Sequence, residues 1–404
     1  MTTTAPPQPK ASALPVVFKV WVGAALISQL GDAALYFALG WAATAHGGAA
    51  AGLVMTMIVL PRTVLLLLGG AVGDRAGARR VMLVGDAVMF VVALTLALAA
   101  WRLGTPLALL LVAALVIGVN DAFYLPASGA MPRVLVDSEH VARATAMRQS
   151  GSQLVAMAGG PLGGAVVAYA GLPASAAVDA ATFGVVLVVL LRIRPRFAPP
   201  QPAERRHIVR EAADGVAVVM RTPGLRGVLC LMAAAAGFVI PVGSLLVPLL
   251  CRSRAWDASA AGLITGAQSV GTVAVTLAVT WKGTARRLMT VAAAGMVLAA
   301  LGLAGLALTP SRAVAVVSAL CGGAGIGLLI SHLAPVLITA APESHLTRVQ
   351  SLFTLTQSAA LLLTVNVLGG VAHAFGPRAG IALCAVVLGG CGAAVLVGRR
   401  LRTA

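Results

Sequence analysis

Apolar runs of about twenty residues recur along nearly the whole chain, and they constrain its fold more than any other feature. At about 1.5 Å per residue, a helix of roughly 20 residues crosses a hydrocarbon core of about 30 Å. In such a core the backbone must satisfy its own hydrogen bonds, so packed helices are required. The alternating ten-residue strands of a barrel are not seen. The runs fall at residues 17–44, 51–73, 81–101, 106–127, 144–170, 174–192, 225–250, 258–281, 288–308, 313–340, 347–374 and 378–398. Twelve transmembrane helices are therefore expected in an all-α integral membrane fold. Composition agrees, with 59% hydrophobic and 10% charged residues where soluble domains carry about 25% charged. The first run follows a Pro-rich, nearly uncharged segment from Met1 to Pro15. It is too long for a signal peptide and lacks a small-residue cleavage site, so it reads as a span.

The net charge of +17 would suit a nucleic-acid partner, but its distribution excludes one. Arg75, Arg79 and Arg80 share one loop, and Arg133, Arg143 and Arg148 flank the next even-numbered turn. Arg192, Arg194, Arg196, Arg205, Arg206, Arg210, Arg221 and Arg226 crowd the middle. Lys282, Arg286 and Arg287 follow, and Arg399, Arg400 and Arg402 close the chain. All fall on one side of a twelve-span topology, whereas the other side holds Arg102, Arg252, Arg254, Arg312 and Arg378. This bias places both termini in the cytoplasm of a multi-pass cell-membrane protein. The five cysteines (Cys230, Cys251, Cys321, Cys384, Cys391) form no C-x-x-C and no even framework. They read as small packing residues. No metal cluster, Walker lysine or Ser-His-Asp set is identifiable, so neither cofactor nor metal nor enzymatic activity is expected.

The one long polar interruption, with Pro195, Pro199, Pro200 and Pro202 and then an amphipathic stretch from Arg206 to Met220, divides the chain. The expected organisation is a tail (1–16), a six-helix bundle (17–192), a cytoplasmic linker (193–224), a second six-helix bundle (225–398) and a tail (399–404). The halves echo one another. Arg75-x-x-Ala78-Arg79-Arg80-Val81-Met82 recurs as Lys282-x-x-Ala285-Arg286-Arg287-Leu288-Met289, an offset of 207. His140 and Arg143 recur as His345 and Arg348 at 205, and Leu162-Gly163-Gly164 as Leu368-Gly369-Gly370 at 206. Three echoes in one order at nearly one offset indicate tandem duplication, which gives two pseudo-symmetric halves. In the second copy Trp281 stands where Asp74 stands, and Thr284 where Gly77 stands.

Charged and polar residues inside the runs are the candidates for chemistry. Gln29, Asp32 and Tyr36 share one helical face by their i, i+3, i+7 spacing. An ionised aspartate at mid-span costs about 2.5–3.5 kcal/mol, so Asp32 should face a cavity or a partner. It reads as a proton-binding or cation-recognising carboxylate, or else as a helix-packing group. Asn120, Asp121, Tyr124 and Ser128 form a second stripe; Asp121 is a second carboxylate candidate, or the cap of a break near Pro126. Arg62 reads as the counter-charge of Asp32 or Asp121, or as a snorkelling interfacial group. Asp86 is expected to tie electrostatically to Arg79 or Arg80. Asp179 suits a helix-stabilising bond, and His332 a core histidine or a protonation site. Gln149, Gln153, Gln268 and Gln357, with Thr265 and Thr272, are expected to line a path between the halves.

The charged hairpin Gly70-Ala71-Val72-Gly73-Asp74-Arg75-Ala76-Gly77-Ala78-Arg79-Arg80 lies between the second and third runs. It matches G-x-x-x-D-R-x-G-x-R-R at every specified position, and so resembles the loop between helices 2 and 3 of the major facilitator superfamily. The resemblance covers about residues 17–400. Further phrases carry it: Ser28-Gln29-Leu30-Gly31-Asp32, Tyr124-Leu125-Pro126-Ala127-Ser128 and Asp179-Ala180-Ala181-Thr182-Phe183. Gly159-Gly160-Pro161-Leu162-Gly163-Gly164 looks like the G-P-x-x-G-G signature of the exporters, with one residue fewer between Pro161 and the terminal glycine pair. The branch it looks most like is that of the drug, macrolide and siderophore exporters.

The resemblance implies the twelve-helix major facilitator fold, a substrate site near mid-membrane between the halves, and a latch formed by Asp74, Arg75, Arg79 and Arg80. Gly77 would close the turn and Gly70 would let helices approach. Gly160, Pro161, Gly163 and Gly164 would form the exporter-type element of the fifth helix. The arginine that many proton antiporters carry in the fourth span is absent, since Arg102 and Arg133 flank it. The expected function is export of a small amphipathic molecule (a drug, antibiotic or siderophore-like compound) by alternating access and proton antiport, as a monomer in the lipid bilayer. The alternatives are an importer or uniporter of the same superfamily, and a non-transporting membrane receptor or scaffold of the same fold.

Overall fold

A computed structural model describes residues 14–194, 197, 223–339 and 346–403 of the chain. Most of the expected N-terminal tail (1–13) and nearly all of the expected linker, with its amphipathic stretch, lie outside them, as do the side chains of Asp74 and Arg348. The helices are α1 (Val16–Ala43), α2 (Gly48–Ala76), α3 (Ala78–Leu103), α4 (Leu107–Leu135), α5 (141–170) and α6 (172–192). The second half contains α7 (Pro223–Pro241), α8 (Ala258–Lys282), α9 (Leu288–Leu308), α10 (Arg312–Thr339), α11 (Leu346–Phe375) and α12 (Pro377–Thr403). α7 continues through a π-helical turn (Val242–Leu246) into a short segment (Val247–Ser253).

Eleven helical runs among the described residues are long and apolar enough to cross a membrane. One of them, Ser138–Arg192, has 55 residues, more than twice the length one crossing needs. It breaks at Gly171, whose backbone (φ 68°, ψ −166°) no helix accommodates. The chain reverses there. Gly159 of α5 packs on Ala33 of α1, and Asp179 of α6 packs on Gly31, so both strands of the hairpin pass the same level of α1. Past α6, the Phe197 N–H donates to the Val134 carbonyl at 3.3 Å, back beside the start of α5. The run is therefore two crossings, and the described residues make twelve.

The duplication is visible in the turns. Gly77 (φ 85°) ends α2 and Gly283 (φ 82°) ends α8, each donating its N–H to the carbonyl four residues back. The left-handed glycine thus survives in the second half, one residue before Thr284, because closing either helix requires it. Gly171 and Gly376 match in the same way. α4 also differs from its expected extent. It runs on through Pro126 and Pro132 to Leu135, with no break for Asp121 to cap.

Close α2–α4 packing explains how these prolines are tolerated. A proline frees the carbonyl four residues before it. Pro126 frees that of Ala122, and Gly69 is the residue whose missing side chain lets α2 lie against that oxygen. Pro61 frees that of Met57, and a Cβ on Gly118 would sit 2.9 Å from it. Cα–H···O contacts are the weak bonds such close crossings allow.

We call the ends of the helices near Arg75, Arg192 and Lys282 the basic end, and the opposite ends the far end. Toward the far end and mid-membrane, α1, α2 and α5 share one buried core with the second half, from Leu35 and Val54 through to Leu246, Ile264 and Leu368. At the basic end the first half packs on itself in a separate cluster of Phe18, Trp21, Met82, Met131, Ala144 and Leu190. Two hydrogen-bonded ties between the halves lie on the far-end side. Asn366 Nδ2 donates to Thr56 Oγ1 at 2.9 Å, and Arg252 Nε donates to Thr44 Oγ1 at 2.5 Å.

Candidate functional site

A cavity of about 470 Å³ lies between the halves. Its walls are mostly apolar, with Phe37, Met55, Ile58 and Val59 on one side and Val239, Leu361 and Val365 on the other. The polar lining is sparse. Tyr36 and Arg62 come from the first half, and Ser244, Thr265, Gln268, Ser269 and Thr272 from the second. The π-helical turn after Pro241 places Gly243 and Ser244 on this wall. On α8, the hydroxyls of Thr265, Ser269 and Thr272 donate to the carbonyls four residues earlier. Their lone pairs remain to accept from a ligand.

Asp121 stands behind Tyr36 and Arg62. The Tyr36 hydroxyl donates to Asp121 Oδ2 at 3.0 Å, and Arg62 Nη1 lies 3.8 Å from the same oxygen. The counter-charge of Arg62 is therefore Asp121, of the choices the sequence left open. Side-chain exposures of 29% for Arg62 and 16% for Asp121 leave this pair within reach of the cavity.

Asp32 does not border the central cavity. It lines a void of about 10 Å³ inside the first half, with Ser28, Gln29, Tyr124, Ser128 and Arg148. Around it the polar groups are knitted together. Ser152 Oγ donates to Gln29 Oε1 at 2.8 Å, and the Tyr124 hydroxyl donates to Asp86 Oδ2 at 3.5 Å. Asp179, fully buried, accepts from Thr182 at 3.4 Å and packs on Gly31. Asp32 is close enough to Asp179, Asp121 and Asp86 to interact electrostatically with each.

Five other candidates sit away from the central cavity. Asn120 faces α3, where a Cβ on Gly85 would lie 2.9 Å from its Oδ1, and it borders an outer groove. The period of α4 puts it 100° from Asp121, which is enough to face a different neighbour. Gln149 and Gln153 are exposed on α5 and Gln357 is half-buried on α11. All three lie toward the basic end of their helices, beyond the cavity. His332 is buried and bonded at both ring nitrogens, to the Leu328 carbonyl and the Ala285 N–H, as a core histidine.

The fifth-helix element forms the contact between halves. A Cβ on Gly160 would collide with Thr265 Oγ1 at 2.5 Å, and one on Gly164 with Gly262 Cα at 2.7 Å. Gly262 is matched against Gly160 and Gly164, and Gly266 against Pro161. Paired small-xxx-small faces let α5 and α8 cross at backbone contact. Gly163 instead packs on Ala34 and Phe37 of α1.

The hairpin differs from expectation at two places. Gly70 has open space where a side chain would be, and the helix approach expected there belongs to Gly69. Asp86 does not meet Arg79 or Arg80. Helical side chains lean toward the N-terminus, which carries Arg79 away from Asp86, two turns further along α3. Arg79 bonds the last carbonyls of α6 instead, Leu190 at 2.9 Å and Leu191 at 3.2 Å. Arg75 and Arg80 are exposed, and Gly77 closes the turn.

No motif or periodicity pointed to the tie made by Arg252. Besides Thr44, it donates to the Trp41 carbonyl at 3.0 Å and lies over the Trp41 ring at 4.8 Å. Arg–Trp stacking at a far-end loop was readable only as composition. Among the described residues no group of His, Cys, Asp or Glu is arranged to hold a metal ion.

Twelve helices in two halves around a shared cavity define a multi-pass membrane protein of the transporter class. The family model of the Major Facilitator Superfamily matches residues 21–365, and the chain belongs to that superfamily. No curated protein sequence matches the chain. Among solved structures it is similar to a bacterial homologue of the human lysosomal transporter Spinster in an inward-facing, unoccupied conformation (TM-score 0.75, 15% identity, 96% of this chain and 98% of that one). It is also similar to a mutant of the nucleoside transporter NupG (0.74, 12%, 95% and 98%). A D-xylose–proton symporter is a third such structure (0.69, 13%, 93% and 96%). At these identities the likeness is one of fold.

Proposed function

We propose that this chain is a secondary active exporter of a small amphipathic molecule, a drug, antibiotic or siderophore-like compound, working by alternating access and proton antiport. The observation that carries this reading is the mostly apolar cavity between the halves with Tyr36 and Arg62 on one wall and Asp121 bonded behind them. An apolar lining suits a lipophilic cargo better than a sugar or a phosphate, whose many polar groups would lose their water without replacement.

With the basic end in the cytoplasm, the far-end ties close the outward side, and the cavity takes its cargo from the cytoplasm or the inner leaflet. Asp121 and Asp32 are the proton sites. A proton on Asp121 removes the charge that holds Arg62, which frees the guanidinium for the cargo or the opposite wall. The hairpin of Asp74, Arg75, Arg79 and Arg80 acts as the latch on the cytoplasmic side. One proton moving through 100 mV supplies about 2.3 kcal/mol, enough for roughly a fifty-fold gradient of a neutral cargo. The monomer is the working unit, as each chain contains a whole cavity.

The test is ethidium flux in proteoliposomes of known orientation. The proposal expects a proton gradient to drive ethidium out through the far end, and Asp32→Asn and Asp121→Asn to weaken that drive. Counterflow indifferent to the proton gradient would instead support a uniporter, and uptake with the gradient an importer.

A further inference from the structure

The basic ends of α1 and α6 leave a groove of about 540 Å³ between them, on the outer surface of the first half and apart from the central cavity. Valines make both walls. Val16 and Val20 of α1 stand opposite Val188 of α6, and all three are exposed. Valine is stiff at χ1, so these walls do not swing across to fill the gap. The half-buried Val17 and Val189 form the floor and pack on the buried cluster that holds Phe18, Trp21 and Leu190.

Arginines stand at its mouth. α6 ends at Arg192, and Ile193 is extended (φ −77°, ψ 130°) and buried. Successive side chains of an extended segment point to opposite sides. A buried Ile193 therefore leaves Arg192 and Arg194 together on the outer side, where both are exposed and both line the groove. The fold uses neither of them. Arg79 already bonds the Leu190 and Leu191 carbonyls at the end of α6. Among the described residues the ion pairs are Arg62–Asp121 and Arg312–Asp257, so no acid there pairs with Arg192 or Arg194. Lys19, exposed on the same turn of α1 as Val16 and Val20, adds a third positive charge, and no acidic residue lines the groove. The charge bias of the basic end accounts for the sign of these residues, but not for their meeting over an apolar groove.

We infer that this groove holds an anionic phospholipid of the cytoplasmic leaflet, its phosphate between Arg192 and Arg194 and an acyl chain along Val16, Val20 and Val188. The match is double. Guanidinium forks fit phosphate oxygens in pairs, and the valine walls continue from them into the depth where acyl chains lie. A free phosphate would leave those walls uncovered, and a zwitterionic lipid offsets its phosphate with its own ammonium. Each basic residue near the surface is worth about fivefold in favour of an anionic lipid, so two arginines give about twenty-five-fold. The site goes beyond the transport reading, since its occupancy needs neither cargo nor proton gradient. Its lipid would bridge α1 and α6 on the turn that Arg79 of the charged hairpin holds.

The experiment uses the full-length protein in phosphatidylcholine vesicles that carry a trace of a lipid with a diazirine on its acyl chain, either phosphatidylglycerol or phosphatidylcholine. After illumination, labelled peptides are identified by mass spectrometry. The phosphatidylglycerol probe should label Val16–Val20 and Val188–Arg194 about twenty-five-fold more than the phosphatidylcholine probe. Arg192→Gln combined with Arg194→Gln should abolish that excess, and Arg192→Lys with Arg194→Lys should keep most of it. Arg286→Gln with Arg287→Gln removes the same charge from the basic end of the other half and should leave the excess unchanged. An equal loss in both glutamine pairs would reduce the effect to a general attraction and overturn the site. Equal labelling by the two probes in the wild type would overturn it too, as would no labelling of these segments, the result expected if another part of the chain fills the groove.

Discussion

Gly164 and Gly262 meet backbone to backbone: a Cβ on Gly164 would lie 2.7 Å from Gly262 Cα and 2.8 Å from the Ala258 carbonyl oxygen. No flexible side chain can move aside there, so any larger residue must push α5 off α8 and open the seam that closes the far end.

Gly164→Val should therefore cost about 1–3 kcal/mol, the usual price of overpacking, and lower the thermal midpoint in detergent. Gly70→Ala is the control, since nothing lies within 4 Å of its missing side chain. It should be neutral or stabilising by about 0.5–1 kcal/mol. Gly69→Ala should be destabilising, because Ala122 occupies that space. Equal midpoints for Gly164→Val and wild type would contradict the crossing.

Arg79→Ala should destabilise the first half by about 1–2 kcal/mol, since it leaves the Leu190 and Leu191 carbonyls at the end of α6 without their donor. Arg79→Lys should recover less than half, because one ammonium cannot reproduce two guanidinium bonds. Midpoints from thermal unfolding of the three proteins decide it; a full recovery by lysine would reduce Arg79 to a simple charge.

Much of the fold was legible in the sequence because membrane crossing imposes length and hydropathy directly. The twelve runs follow from that constraint, the shared side of the arginines from their distribution among the loops, and the duplication from motifs echoed at nearly one offset. Which residue faces which neighbour does not. Periodicity put Gln29, Asp32 and Tyr36 on one face, but not that Tyr36 would reach Asp121 while Asp32 turned into the first half. Motif matching singled out Gly70, whereas close approach depends on where the carbonyl freed by Pro126 lies, and that selects Gly69.

Arg252→Ala should loosen the far end. The guanidinium bonds Thr44 and Trp41 from the other half, and at a partly exposed site that is worth roughly 1 kcal/mol, about fivefold in population. Maleimide labelling of a cysteine placed at Ala372, which is buried against Gly48 of the other half, should speed up by that factor. An unchanged labelling rate would show that the glycine crossings close the far end without Arg252.

Asp257 caps α8 at the far-end loop. The Ser259 hydroxyl, then the Ala260 N–H and the Arg312 guanidinium, hold its carboxyl below the ordinary range. A carboxyl with a depressed folded value contributes stability above its unfolded value and loses it as pH falls through the folded one. Asp257→Asn should therefore lower the thermal midpoint at pH 7 and converge with wild type in acid below about pH 4. A constant gap across that range would exclude the carboxylate as its source.

The most direct test of the central claim, that the halves rock about the shared cavity in response to protons, is pulsed electron–electron distance measurement on spin-label pairs placed across the halves. One pair would join the far ends of α2 and α11, the other the basic ends of α5 and α8, with each recorded from pH 5 to pH 9. Alternating access predicts two populations at each end, exchanging with pH in opposite senses, the far end widening as the basic end narrows. A single unchanging distance at both ends across that range would contradict the account and leave the chain a static receptor or scaffold.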